Sequence, residues 1–241
     1  MTNTNFNTFD YKTAREIPEV VLRVELIKKR MELLRDKKNE KVLEIGVGSG
    51  DTTLMLANEF KSVLCIDIDQ QTLDDARNRS KEIGVSNIEY RCGDITKDLR
   101  LDEKYDHIFL IGILEHLEDP VQALLILSKY LSDNGTIYVL VNLANSLHRW
   151  LGVVMGDIED VSKLSEADVR LGHHRVYDLK LLNQHISEAG MGNKFQELFY
   201  VKPFPSFIMN DLPMKIHHGL NKLAERFPEF SSYVYLEAVK S

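Results

Sequence analysis

Three acids, Glu44, Asp67 and Asp94, stand at or just past the ends of short apolar runs, and Gly46, Gly48 and Gly50 follow the first at alternate positions. Glycines so spaced let a backbone turn tightly and come within contact distance of a ligand. The segment after them opens a helix, whose first N–H groups have no intrahelical partners. Asp67 ends the run Leu64-Cys65-Ile66-Asp67; an acid there can accept hydrogen bonds from both hydroxyls of a ribose. Gly93, Asp94 and Ile95 follow the next run. Asp94 can accept from an exocyclic adenine amine, while Ile68 or Ile95 packs on the purine face. In order, these residues suit an adenosine. They do not suit a pyrophosphate. The spacing is not Gly-x-Gly-x-x-Gly, and the carboxylate of Asp51 at the mouth of the helix would repel phosphate. Asp51 is expected to cap that helix.

A second group of residues could move protons or hold anions. His116 follows a later apolar run, His148 follows another, and His173 and His174 sit in Leu171-Gly172-His173-His174-Arg175-Val176-Tyr177. Histidine titrates near neutrality and can take a proton at working pH; alternatively, either of the last two caps the next helix or bonds a backbone carbonyl. Arg149 and Arg175 could bind an anionic group or pair with the acids of 157–160. His148, His173 and His174 with Asp157 or Asp168 are metal-ligand types, but their spacing matches no tight metal motif, so no metal is expected. Tyr11, Trp150, Phe204 and Phe207 could line an apolar pocket, although such residues are more often core.

The elements that must position these groups alternate. The periodicity predicts a helix over Arg15–Lys37, then strands at Lys41–Ile45, Ser62–Asp67, Asn87–Cys92, Tyr105–Ile111 and Gly135–Leu143. Helices are expected from Asp51 or Thr52 through Phe60, over Gln71–Ile83 and over Pro120–Leu131. Such β-α repetition builds a parallel sheet covered on both faces. The pattern breaks at Asn145–Tyr177, read as a partly helical insertion over the carboxyl edge of the sheet. A helix at Asp178–Ala189, strands at Phe195–Val201 and Ser232–Val239, and a helix at Met214–Arg226 between them close the chain. The whole reads as one domain: an N-terminal helical segment (1–38), a ligand-binding core (39–144), the insertion (145–177) and the closing elements (178–241).

The chain has 241 residues and a formal net charge of −7. It lacks the global basic field expected of a nucleic-acid or anionic-membrane binder. Cys65 and Cys92 are expected as buried, reduced thiols. The first ten residues read as a flexible polar tail without a signal peptide. No apolar run approaches the roughly 18 residues of a membrane span. A cytoplasmic monomer or homodimer is the expectation.

From Lys41 to Leu143 the chain resembles the class I S-adenosylmethionine-dependent methyltransferases. The residues that carry the resemblance are Glu44-Ile-Gly-Val-Gly-Ser-Gly50, Asp67, Gly93-Asp94, and the stretch from Tyr105 to Pro120 with its Leu114-Glu115-His116-Leu117 segment. That segment is similar to the small-molecule branch that includes ubiquinone-biosynthesis and sugar methyltransferases. The resemblance implies a Rossmann-like α/β fold: a seven-stranded, mostly parallel sheet with an antiparallel last strand. It implies S-adenosyl-L-methionine as cofactor, bound by Glu44, Gly46, Gly48, Gly50, Asp67, Ile68, Gly93, Asp94, Ile95, Ile111 and Gly112. It further implies a small-molecule acceptor, a hydroxyl of a sugar or biosynthetic intermediate, with a histidine as base: His173 first, then His174, His148 and His116. Alternatives are N-methylation of a small molecule or peptide, or a non-catalytic binder of the cofactor. The glycine spacing disfavours a nicotinamide dehydrogenase.

Overall fold

A computed structural model describes residues 17–97 and 100–241. The expected N-terminal tail, Tyr11 and the helix start at Arg15 lie outside these. Helix α1 spans Pro18–Met31. Pro18 at its first position suits the fixed φ of proline and its missing N–H, and Ile17 before it is extended. Leu22, Leu26, Ile27 and Met31 form its buried stripe. The helix does not reach Lys37. Leu33 is already exposed, so no apolar face holds it to the core, and the chain turns into a short 3-10 segment at Lys37–Asn39.

The strands are β1 (Lys41–Ile45), β2 (Ser62–Asp67), β3 (Ile88–Cys92), β4 (Tyr105–Ile111), β5 (Leu131–Asn142), β6 (Met191–Val201) and β7 (Ser231–Lys240). They form one sheet in the order β3-β2-β1-β4-β5-β7-β6. All run parallel except β7, which is antiparallel to both β5 and β6. This is the expected seven-stranded Rossmann-like sheet. Strands buried on both faces need apolar residues at successive positions. In β1, Val42 joins one core and Leu43 and Ile45 the other. The first core also holds α1, α2 (Asp51–Glu59) and α3 (Gln70–Glu82); the second holds α4 (Pro120–Lys129) and α7 (Leu179–Glu188).

Chain order reverses between β1 and β4, the switch point where α/β sheets bind ligands. The strand tips there are tied in a row. Gly46 N–H donates to Ile66 O at 2.8 Å, Gly93 N–H to Asp67 O at 2.9 Å, and Gly112 N–H to Leu140 O at 2.8 Å. The insertion contains α5 (Leu147–Met155) and α6 (Glu166–Arg170). It returns to the end of β5 through Ala144 N–H on Tyr177 O at 2.7 Å. Helices α8 (Ser206–Met209) and α9 (Met214–Arg226) lie between β6 and β7.

Further sequence expectations fail. Cys92 is exposed, not buried, because it closes the edge strand β3. Trp150, Phe204 and Phe207 are not core residues: they are 43%, 44% and 76% exposed. Asp51 does not cap α2. Gly50 holds that position at φ 76°, and the Asp51 carboxylate instead accepts from Ser49 Oγ at 2.7 Å and pairs with Arg79. Among the described residues no helix is long and apolar enough to cross a membrane, and no cluster of three or more His, Cys, Asp or Glu is arranged to hold a metal.

Candidate active site

The glycine turn is built as its spacing implies. Gly46, Gly48 and Gly50 all have positive φ, at 79°, 52° and 76°. A Cβ at Gly46 would also lie 2.1 Å from Ile113 Cδ1, so the end of that side chain would have to move. Asp67 lies beside the turn. Its Oδ2 accepts from Val47 N–H at 2.8 Å and its Oδ1 from Asp69 N–H at 3.0 Å. A carboxylate offers about four acceptor sites, so Asp67 braces the turn and keeps capacity for a ribose. Burial raises its pKa, against the lowering effect of these backbone bonds.

The residues expected beside a purine divide. Ile68 is 56% exposed next to Asp67, whereas Ile95 is packed into the core near Leu64 and Ile66. Ile68 is therefore the apolar residue that this edge offers to a flat ring. Asp94 Oδ1 accepts from Thr96 N–H at 2.9 Å, and its Oδ2 pairs with Lys97 at 2.8 Å. Gly93, at the β3 tip, needs no special φ. Ile111 ends β4, and Gly112 beyond it has φ 69°.

Glu44 is turned inward, 2% exposed. Its Oε2 accepts from Thr53 Oγ1 at 2.6 Å and from Cys65 Sγ at 3.4 Å. Burial pushes its pKa up to about 7, although both bonds favour the charged form. Glu44 thus lies under the turn, and its Oε1 carries no hydrogen bond from a described residue.

The histidines separate by environment. His173 Nδ1 lies 3.1 Å from Asp168 Oδ1, and its backbone N–H donates to Asp168 O at 2.9 Å. Burial alone would raise the pKa of Asp168, but bonds from His173, Ser165 and Arg149 outweigh it and hold the carboxylate well below the usual range. The His116 ring meets that of His173 edge-on, with centroids 4.6 Å apart. Burial, with His173 beside it, lowers the pKa of His116 to about 4. Burial and the charges of Lys202 and Arg149 lower the pKa of His148 to about 2, and its Nδ1 has no hydrogen-bond partner among the described residues. His174 is exposed, and its N–H donates to Glu115 O at 2.8 Å. It lines a cavity of about 700 Å³ with Asp157, Ser165, Arg175 and Leu181. No residue of the glycine turn lines that cavity.

The two arginines do not stand free for an anion, nor do they pair with residues 157–160. Arg149 is bound to Asp168 at 2.8 Å and to Val161 O at 2.8 Å. Arg175 donates to the carbonyls of Leu114 (3.0 Å), Leu117 and Glu118 (2.8 Å), clamping the insertion onto the turn after β4. Helix α7 is capped by Asp178 and not by a histidine.

Two further residues stand at this edge, of which only Arg23 escapes sequence reasoning. Arg23 on α1 has a buried Nε with no partner among the described residues, and Glu115 is 3% exposed with Oε2 equally unpartnered. On the sequence, Arg23 reads as one charged residue of an amphipathic helix; its only signal is the i, i+4 spacing from Glu19 beside the apolar stripe.

The sheet order and the glycine turn at the β1 tip are those of a Rossmann-like methyltransferase fold. The methyltransferase-domain family matches residues 36–200; the chain belongs to that family. Over 108 residues it is 33% identical to a protein-L-isoaspartate O-methyltransferase of Dictyoglomus turgidum, covering 45% of this chain and 46% of the relative. It is 28% identical over 111 residues to (S)-coclaurine N-methyltransferase of Papaver somniferum, covering 45% and 31%. The aligned stretch spans less than half the length of either relative. The structure of magnesium protoporphyrin IX methyltransferase from Synechocystis PCC 6803 with bound SAH shares the fold. Its TM-score is 0.63 at 14% identity, over 94% of this chain and 86% of that one.

Proposed function

We propose that this protein transfers a methyl group from S-adenosylmethionine to a hydroxyl of a small-molecule acceptor, a sugar or similar biosynthetic intermediate, with His173 as general base. The observation that carries this reading is the His173–Asp168 pair at 3.1 Å. A carboxylate on Nδ1 selects the tautomer whose Nε2 accepts a proton, and Nε2 has no hydrogen-bond partner among the described residues. When bound, the cofactor supplies a methyl group already activated by its sulfonium. The chain's own residues then orient the acceptor, exclude water and receive the hydroxyl proton at His173 Nε2. A hydroxyl gains most from such a base, whereas a neutral amine attacks without losing its proton first. The net charge of −7 supports a small molecule over nucleic acid.

The test is incubation with methyl-labelled S-adenosylmethionine and panels of hydroxylated and amine acceptors. Label in a hydroxylated small molecule is expected. Label confined to amines overturns the hydroxyl assignment, and failure to bind S-adenosylhomocysteine in calorimetry overturns the activity.

A further inference from the structure

The connection between β6 and β7 turns apolar side chains outward. Phe204, Phe207 and Ile208, in and before α8, are exposed, and so are Ile216, Leu223 and Phe227 on α9. An exposed apolar residue is ordinary on its own; six from one connection mark a surface that meets something apolar. Helix α9 is held by its other side. His217 is buried, with its Nδ1 at 2.6 Å from Tyr200 Oη and its Nε2 at 3.1 Å from Met209 O. Asn221 Oδ1 accepts from Tyr200 N–H at 3.1 Å. The bond to Met209 also ties α8 to α9.

The exposed stripe of α9 has a charged neighbour. Ile216, Leu223 and Phe227 recur at i, i+7 and i+11. Lys215, Lys222 and Arg226 repeat that spacing one residue earlier, about 100° round the helix, and all three are exposed. None of these cations forms an ion pair among the described residues. Glu225, the sole acid of α9, falls on the side opposite the apolar stripe; Asp211 precedes the helix and Glu229 follows it. His218 is turned to α1, where it pairs with Glu25 at 3.1 Å. The helix therefore carries a basic stripe in a chain whose net charge is −7.

An apolar stripe bordered by lysine and arginine suits a helix lying in the plane of a membrane interface. The apolar groups enter the acyl boundary, and the long cationic side chains stay among anionic headgroups. A second copy fits less well. A two-fold contact sets the same patch against itself, and here it would bring two basic stripes together without acids between them. The position is also informative. β6 runs parallel to β1, so its end at Val201 lies on the edge that carries the glycine turn. Ser206, which opens α8, donates to Glu19 in the first turn of α1 at 2.9 Å.

We propose that this face docks the protein on an anionic lipid bilayer, with Ile216, Leu223 and Phe227 entering the interface and Lys215, Lys222 and Arg226 holding the headgroups. The proposal depends on neither the acceptor nor the base assigned above. Co-sedimentation of the full chain with vesicles of phosphatidylcholine, alone or mixed with phosphatidylglycerol, tests it. Binding to the mixed vesicles is expected, weaker on phosphatidylcholine alone and weakened by salt. Lys215→Gln, Lys222→Gln and Arg226→Gln should each cost about fivefold, and the three together roughly a hundredfold. Leu223→Ser with Phe227→Ser should also weaken binding, because apolar area is lost. Thermal unfolding checks that each variant folds; if the serine variant does not, the glutamine variants make the test alone. S-adenosylhomocysteine affinity should stay at the wild-type value throughout. No binding to the mixed vesicles, equal binding to both kinds, or binding untouched by the triple glutamine variant overturns the proposal. A wild-type chain that ignores vesicles and sediments as a dimer, but as a monomer after Leu223→Ser and Phe227→Ser, overturns it in favour of a second copy.

Discussion

Oδ1 of Asp168 accepts from Nδ1 of His173 while its Oδ2 receives Arg149, so one carboxylate joins the insertion's histidine to the helix after β5. The same Oδ2 accepts from Ser165 N–H at 2.8 Å, completing the capping box of α6. Orientation of the histidine and folding of the insertion therefore depend on the same group.

His173→Ala is expected to lower turnover roughly 10²- to 10⁴-fold, the usual range for a general base, with S-adenosylhomocysteine affinity nearly intact. His116→Ala should cost less, because a group with pKa near 4 is a poor base at neutral pH. Steady-state kinetics on both variants, with cofactor binding measured separately, decides the order. Full activity in His173→Ala would move the base elsewhere.

Asp168→Asn should lower turnover and also destabilise the fold, by about 3 kcal/mol, because it leaves Arg149 buried opposite a neutral group. Its pKa is depressed in the folded state. The carboxylate's stabilising contribution is therefore present above its unfolded pKa and is lost as pH falls through the folded value. Urea unfolding should show wild type and Asp168→Asn converging in stability under acid conditions.

Asp67→Ala is expected to weaken S-adenosylhomocysteine by about 2–3 kcal/mol, because it removes the proposed ribose acceptor and frees the Val47 N–H that holds the turn. Calorimetry reads this directly. Unchanged affinity would remove Asp67 from the site.

Gly46→Ala places a side chain at φ 79° and drives it into Ile113 Cδ1. A stability loss of about 2 kcal/mol is expected from the left-handed backbone and the clash. Adding Ile113→Ala should recover only part, because it relieves the contact and not the backbone. Complete recovery in thermal unfolding would show that φ is not the constraint.

Glu44 gives the opposite pH sign to Asp168. Its folded pKa of about 7 exceeds the ordinary 4.5, so its contribution is complete below about pH 4.5 and is lost as pH rises to about 7. The loss amounts to about 3 kcal/mol. Glu44→Gln cannot titrate, so the wild-type-minus-variant stability difference in urea unfolding should fall across that interval. A flat difference would mean that Glu44 is ionised in the folded protein throughout.

Local grammar determined a good part of this protein. The glycine turn, the acid ending β2, and the order of strands and helices are properties of a few consecutive residues: apolar runs, glycine spacing and helix periodicity. They were readable without the fold. Tertiary structure decided the partners. Arg149 meets Asp168 and not residues 157–160, Arg175 clamps three carbonyls 57 to 61 residues away, Glu44 turns under the loop, and Arg23 is brought to Glu115 from the first helix. Such pairings follow from how helices and insertion lie on the sheet edge. An ion or hydrogen-bond donor takes whichever complementary group the packing brings within about 3 Å, and residue type and spacing along the chain do not specify that distance.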